Sequence, residues 1–237
     1  IVPLLLGSIW VTIGAVVLSV PLGLATAVFI REIAPGWVRE ILKPLIEILA
    51  GIPSVVLGFL GWVVVAPLVQ DWLGAPTGLT VFTGSLMLAY MALPTIISIS
   101  EDAIDAVPKT YRDGALALGA THWQTIWRVV IPAARSGVLM AIMLGVGRAI
   151  GETMAVMMVT GNAATLPRGL ASFLRPARTM TATIAAEMGE VAQGSTHYHV
   201  LFAIGLMLFG ITLLINVFAS VLMLRQERGG GRGGMIG

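Results

Sequence analysis

The sequence predicts an all-α fold, a polytopic bundle of about five transmembrane helices, and three observations carry that expectation. Hydrophobic residues fill 57% of the 237 positions, charged residues only 11%, and mean hydropathy is +0.94; a soluble domain of this length carries roughly twice that charge. Charge-free runs cover Ile1–Ile30, Ile48–Gln70, Trp72–Ser100 and Val200–Leu224, each long enough for a hydrocarbon core that takes about 20 helical residues. A fifth run, Ser136–Gly161, is interrupted only by Arg148 and Glu152. In hydrocarbon every backbone amide needs a partner within its own segment, and these runs exceed the strands of about ten residues that build barrels. The spans are therefore expected to be helices.

A single transmembrane domain is expected over residues 1–228. Its first span, at 4–30, stops at Arg31, and Pro35-Gly36 turns the connection to Lys43. Spans at 46–70 and 79–100 form a hairpin whose link, Asp71 to Gly78, contains Gly74, Pro76 and Gly78. Glu101 to Arg135 is too polar and too long for a turn. Within it Pro108 suits a helix start, Gly119 its stop, and Thr121 with Gln124 matches a capping box, so two short helices are expected over 104–131, lying along the membrane surface. A fourth span follows at 135–160 and an outer segment at 161–198, with partly buried helical pieces at Leu170, Phe173 and Leu174 and at Ile184, Met188 and Val191. A fifth span at 199–224 leads to a flexible glycine-rich tail at 229–237.

Basic residues orient the bundle. Arg31, Arg39, Lys43, Lys109, Arg112, Arg128, Arg135, Arg225, Arg228 and Arg232 fall on one side, and only Arg168, Arg175 and Arg178 on the other. The richer side is assigned to the cytoplasm, and the C-terminus with it. This asymmetry already explains the basic residues, so the formal charge of +2 adds nothing about nucleic acid and no such partner is expected. With no cysteine there is neither a disulfide nor a thiolate metal site. The first run is too long for a cleavable signal and lacks a basic flank, and a chain that enters a helix from Ile1 is expected to be preceded by a further span.

Arg148 and Glu152 are the most informative residues. Arg148 lies about a dozen residues into its span, roughly 16 to 18 Å at the helical rise, where an Arg costs roughly 2.5 to 3.5 kcal/mol and faces protein or a polar pathway. Glu152, at i+4, shares its face. One reading is an internal ion pair that fixes packing, with Gly147 and Gly151 admitting a neighbouring helix. The other is an anion pathway, in which the guanidinium fork captures an oxyanion, the carboxylate weakens the grip enough for release, and Thr153 adds a hydroxyl. Gly51-Ile52-Pro53-Ser54 adds a candidate hydroxyl at Ser54, although a plain kink is the better reading of the proline from the residues alone. His197-Tyr198-His199 reads as an interfacial belt rather than a metal pair. The chain has no Gly-x-x-x-x-Gly-Lys-[Ser/Thr] loop, and Lys109-Thr110 lacks the glycines to replace it. No enzymatic site, metal or cofactor is expected, and any ATP is bound by another chain.

Asp113-Gly114-Ala115, then Gly119, then Val129-Val130-Ile131-Pro132 resembles the coupling loop of ABC importer permeases, which runs Glu-Ala-Ala, three residues, Gly, nine residues, Ile-x-Leu-Pro. Asp113 replaces Glu and Gly114 replaces Ala. Leu49 to Val56, Gly147 to Val156 and Arg178 to Met188 further resemble the phosphate-importer permeases of the PstC type, over nearly the whole chain and without that family's first helix. The resemblance implies a multi-pass subunit of the bacterial or archaeal cytoplasmic membrane, paired with a second, PstA-like permease, two ATPase subunits and a periplasmic or lipid-anchored phosphate-binding protein. It further implies that Asp113, Gly114, Ala115, Gly119, Ile131 and Pro132 dock the ATPase, and that Arg148, Glu152, Thr153 and Ser54 lie along the phosphate route. The competing readings are a permease for molybdate or sulfate and a membrane protein without transport activity.

Overall fold

The computed structural model describes residues 1–166 and 169–230. Arg168 and most of the expected tail, from 231 on, lie outside the described residues. The chain is helical almost throughout, with an isolated bridge between Gly161 and Ala177. Among the described residues, four helical stretches are long and apolar enough to cross a membrane: Val2–Ile33, Ser54–Leu73, Val81–Asp105 and Thr196–Val221. A fifth candidate is a pair of helices, His122–Ala133 and Arg135–Gly151, bent by 70°.

Helix α1 (Val2–Val28) continues through a π turn, Phe29–Ile33, and ends where Ala34 becomes extended before Pro35, the conformation that a following proline favours. Helix α2 (Gly36–Ala50) is separate from the second span. A continuous span from residue 46 was expected; Gly51 and Ile52 instead leave the helix, and Pro53, with ψ 136°, precedes a new start at Ser54. Helix α3 (Ser54–Leu60), a π turn (Gly61–Val65) and α4 (Ala66–Leu73) then run to Gly74, which closes α4 at φ +60°. Helix α5 is Val81–Asp105; α6 (Lys109–Ala117), α7 (His122–Thr125), a π turn (Ile126–Val130) and α8 (Ile131–Ala133) follow. The remaining α-helices among the described residues are α9 (Arg135–Gly151), α10 (Met154–Val159), α11 (Met180–Glu187) and α12 (Thr196–Gly230), with a 3-10 helix, Leu170–Leu174, between α10 and α11.

The chain divides into two compact units. The first takes Ile1–Ser19, Gly51–Ala92 and Val146–Ile215. Leu57, Met87, Met91, Ala155 and Val159 form one of its cores, Val11, Ala15, Leu88 and Val156 belong to another, and Leu4, Met180, Leu201 and Ile204 to a third. Helices α3 and α10 approach closely because Gly58 has no side chain: a Cβ there would sit 2.8 Å from the Ala155 Cα. Backbone cannot yield as a side-chain tip can, so Gly58→Val is expected to cost about 1 to 3 kcal/mol. The check is a fall in thermal unfolding midpoint in detergent.

The second unit takes Val20–Ala50, Leu93–Gly145 and the chain from Asn216 onward. Ile30, Ile46, Ile97, Ile104, Ile126 and Val130 are buried in its core. Beside that core Glu101 is buried and accepts from Arg39 at 2.6 Å and Lys43 at 2.7 Å. Arg31 pairs with Asp105. Hydrogen bonds from Lys43 to Glu101 and Asp102 raise its pKa above the usual value against the opposing effect of burial, so the ammonium stays charged at all ordinary pH.

Candidate translocation site and coupling segment

In the first unit, helix α9 stops at Gly151, Glu152 and Thr153 leave the helix, and α10 restarts at Met154. An unbroken span over 135–160 was expected. The Glu152 carboxylate satisfies amides that the break leaves open: its Oε1 accepts from the backbone N–H of Thr153 at 3.1 Å and of Ala155 at 3.3 Å, at a helix start whose amides have no intrahelical acceptor. The Thr153 hydroxyl donates to the Gly151 carbonyl at 3.2 Å, and the Thr181 hydroxyl to the Glu152 carbonyl at 3.0 Å. Irregular backbone within a membrane requires this kind of satisfaction, or a polar cavity. A cavity of about 10 Å³ adjoins the break, lined among others by Ser8, Thr12, Glu152, Thr179 and Thr181.

The break also places charge. Arg148 lies in the last turn of α9, where exposed carbonyls favour a cation, and Glu152 sits at the start of α10, where amides favour an anion. Each charge is thus stabilised by its own helix end. The shared face expected at i+4 does not apply, because that spacing assumes an unbroken helix. Gly147 and Gly151 are exposed, and a Cβ at either meets no described atom within 4 Å. Among the described residues, then, no helix makes the close approach expected there. Ser54 is half-buried at the first position of α3, the helix that packs on α10 through Gly58. Pro53 starts this helix rather than kinking one.

In the segment between α10 and α12, Glu187 accepts from Arg178 at 2.6 Å and pairs with His197 at 2.8 Å. Burial by itself pushes the Glu187 carboxyl up, but the hydrogen bond from His197 and the Arg178 charge outweigh it and hold the pKa below the usual value of 4.5. A depressed carboxyl contributes stability above its unfolded pKa and loses it as pH falls through the lower folded value. Amide protection in 178–199, corrected for the intrinsic pH dependence of exchange, should therefore hold steady from neutral pH to about 5 and fall only below about 4.5, and Glu187→Gln should remove that step.

In the second unit, α6 carries Asp113 and Gly114 exposed and Ala115 half-buried, and buries no residue of its own. Gly119, at φ +83°, closes the helix: its N–H donates to Leu116 at 2.9 Å and that of Ala120 to Ala115 at 3.1 Å, a Schellman stop that favours glycine. The Thr121–Gln124 capping box forms in both directions and begins α7. Ile131 is half-buried and Pro132 exposed in α8, after a π turn. Leu118, 92% exposed, stands at the tip of α6, and the exposed Trp123 and Trp127 stack edge-to-face at 5.6 Å. Sequence reasoning left out Glu32, Glu101 and Arg112. The position of Glu101 directly after a charge-free run was the available signal.

A family model described as binding-protein-dependent transport system inner membrane component matches residues 19–229. The chain belongs to this family. As a member of it, the chain is a multi-pass inner-membrane permease subunit. It is 43% identical over 227 residues to a probable ABC transporter permease protein, YqgH, of Bacillus subtilis, covering 96% of this chain and 72% of that protein. It is 38% identical over 240 residues to the phosphate transport system permease protein PstC of Mesorhizobium japonicum, covering 93% and 72%, and 36% identical to that of Pasteurella multocida, covering 98% and 77%. The fold of this permease matches the inward-facing MetNI methionine ABC transporter, with TM-score 0.70, 19% identity and 92% of each chain covered. It also matches a bacterial alginate ABC transporter in complex with an alginate-bound periplasmic protein, with TM-score 0.68, 16% identity and 94% and 78% covered.

Proposed function

We propose that this permease subunit translocates inorganic phosphate inward, driven by ATP hydrolysed on partner subunits. The observation that carries this reading is identity of 34 to 38% to PstC proteins over more than nine-tenths of the chain. The broken helix adds chemical support, since an Arg at a polar interruption of an apolar span matches the needs of an oxyanion pathway. Arg148 donates hydrogen bonds to phosphate along this pathway, with the Thr153 and Ser54 hydroxyls as further donors. Glu152 keeps the site from holding the anion too firmly, as a negative charge close to the route and as the cap of α10.

The partners are a second, PstA-like permease, two ATPase subunits on the cytoplasmic side and an extracytoplasmic phosphate-binding protein. The C-terminus is cytoplasmic, as the positive residues favour. The exposed segment from α6 to α8, with Asp113, Gly114, Ala115, Gly119, Ile131 and Pro132, docks the ATPase; a short helix that buries none of its own residues is suited to a surface completed by another chain. In a reconstituted complex, phosphate-loaded binding protein should stimulate ATP hydrolysis several-fold. Stimulation by a sulfate- or molybdate-loaded binding protein instead would overturn the substrate.

A further inference from the structure

We propose that Arg112 is the joint that fixes the ATPase-docking segment to the ends of two spans, and hence a positioning residue for transport. Arg112 lies on α6 within the second unit. Its Nη1 donates to the Val107 carbonyl at 2.6 Å, in the turn that follows α5, and its Nη2 to the Ile104 carbonyl at 2.9 Å, in the last turn of α5; Ile104 also accepts from the Val107 N–H at 3.3 Å. The same guanidinium donates to Glu32 Oε1 from Nη2 at 2.7 Å and from Nε at 3.2 Å. Glu32 belongs to the π turn that prolongs α1. One planar group therefore joins α6, the end of the span Val81–Asp105 and the end of the span Val2–Ile33.

The pair is well shielded, with the Glu32 side chain 8% exposed and that of Arg112 16%. Since α6 buries no residue of its own, little apolar packing competes with this attachment. A guanidinium fork holding three acceptors, one in α5, one in the turn after it and one in the π turn after α1, fixes orientation as well as distance, which a point-charged ammonium cannot do. Arg31–Asp105 braces the same two ends, and the Arg39–Glu101–Lys43 cluster ties α2 to the last turns of α5. A displacement of α6 by the ATPase is thereby passed to both spans instead of being absorbed by swivelling at Pro108.

The inference rests on the reading of α6 as the docking segment, and the experiment separates the two. The whole complex is reconstituted with wild-type, Arg112→Lys or Glu32→Gln permease, and assembly, ATP hydrolysis and phosphate taken up per ATP are measured. A Leu118→Cys variant, with a cysteine in the ATPase, reports docking by thiol cross-linking. The expected result is intact assembly and cross-linking, hydrolysis within about twofold of wild type, and uptake per ATP reduced at least roughly fivefold. Uptake per ATP unchanged, or uptake and hydrolysis falling in proportion, with the cross-link intact, overturns the joint alone. Loss of the cross-link in otherwise wild-type permease overturns the docking reading and the joint with it.

Discussion

Arg148→Gln should abolish most phosphate uptake while the complex still assembles. Gln keeps two donors and much of the volume but removes the charge, and a hydrogen bond to a charged group contributes about 1.5 to 3 kcal/mol, roughly tenfold to more than a hundredfold in affinity. Arg148→Lys keeps the charge without the planar fork and should fall between the two. The substitution tests the pathway role because Arg148 lies in the last turn of α9, directly before the break at Glu152 and Thr153. ATP-dependent uptake of radiolabelled phosphate into vesicles is the check, and full uptake in Arg148→Gln would reduce this residue to a structural one.

The largest loss of stability is expected at the Glu101 cluster, and its size depends on which partner is removed. Glu101 is 3% exposed in its side chain, whereas Arg39 and Lys43 are 29% and 38% exposed. Removing one side of a buried pair costs about 3 to 5 kcal/mol when the remaining charge is stranded. Glu101→Gln should lie at or below the low end, because both cations can turn to water. Arg39→Met combined with Lys43→Met strands the buried carboxylate and should reach the upper end. Thermal unfolding of the three proteins in detergent checks the order; equal losses would mean that Glu101 is already hydrated.

The spans were legible because hydrocarbon leaves a one-dimensional signal: length without charge. Local stops were legible as well, since the Gly119 closure and the Thr121–Gln124 box each depend on residues within one or two turns. The break at Glu152 was not, because the apolar run continues through it and a carboxylate acts as a cap only once the helix has parted. Nor could the run Ile48–Gln70 show that α2 ends at Ala50, since Gly51 and Pro53 are equally compatible with a kink. The charge clusters were the least legible. Arg39 and Glu101 are 62 residues apart, and Arg112 and Glu32 are 80 apart, so no spacing rule joins them.

Uptake by the complete complex in proteoliposomes, with the second permease, the ATPases and the binding protein present, tests the central claim most directly. Radiolabelled phosphate should accumulate only with ATP, saturate, and persist in a large excess of sulfate or molybdate. Accumulation of either competitor in place of phosphate, or no phosphate uptake by an assembled complex that hydrolyses ATP, would contradict the assignment.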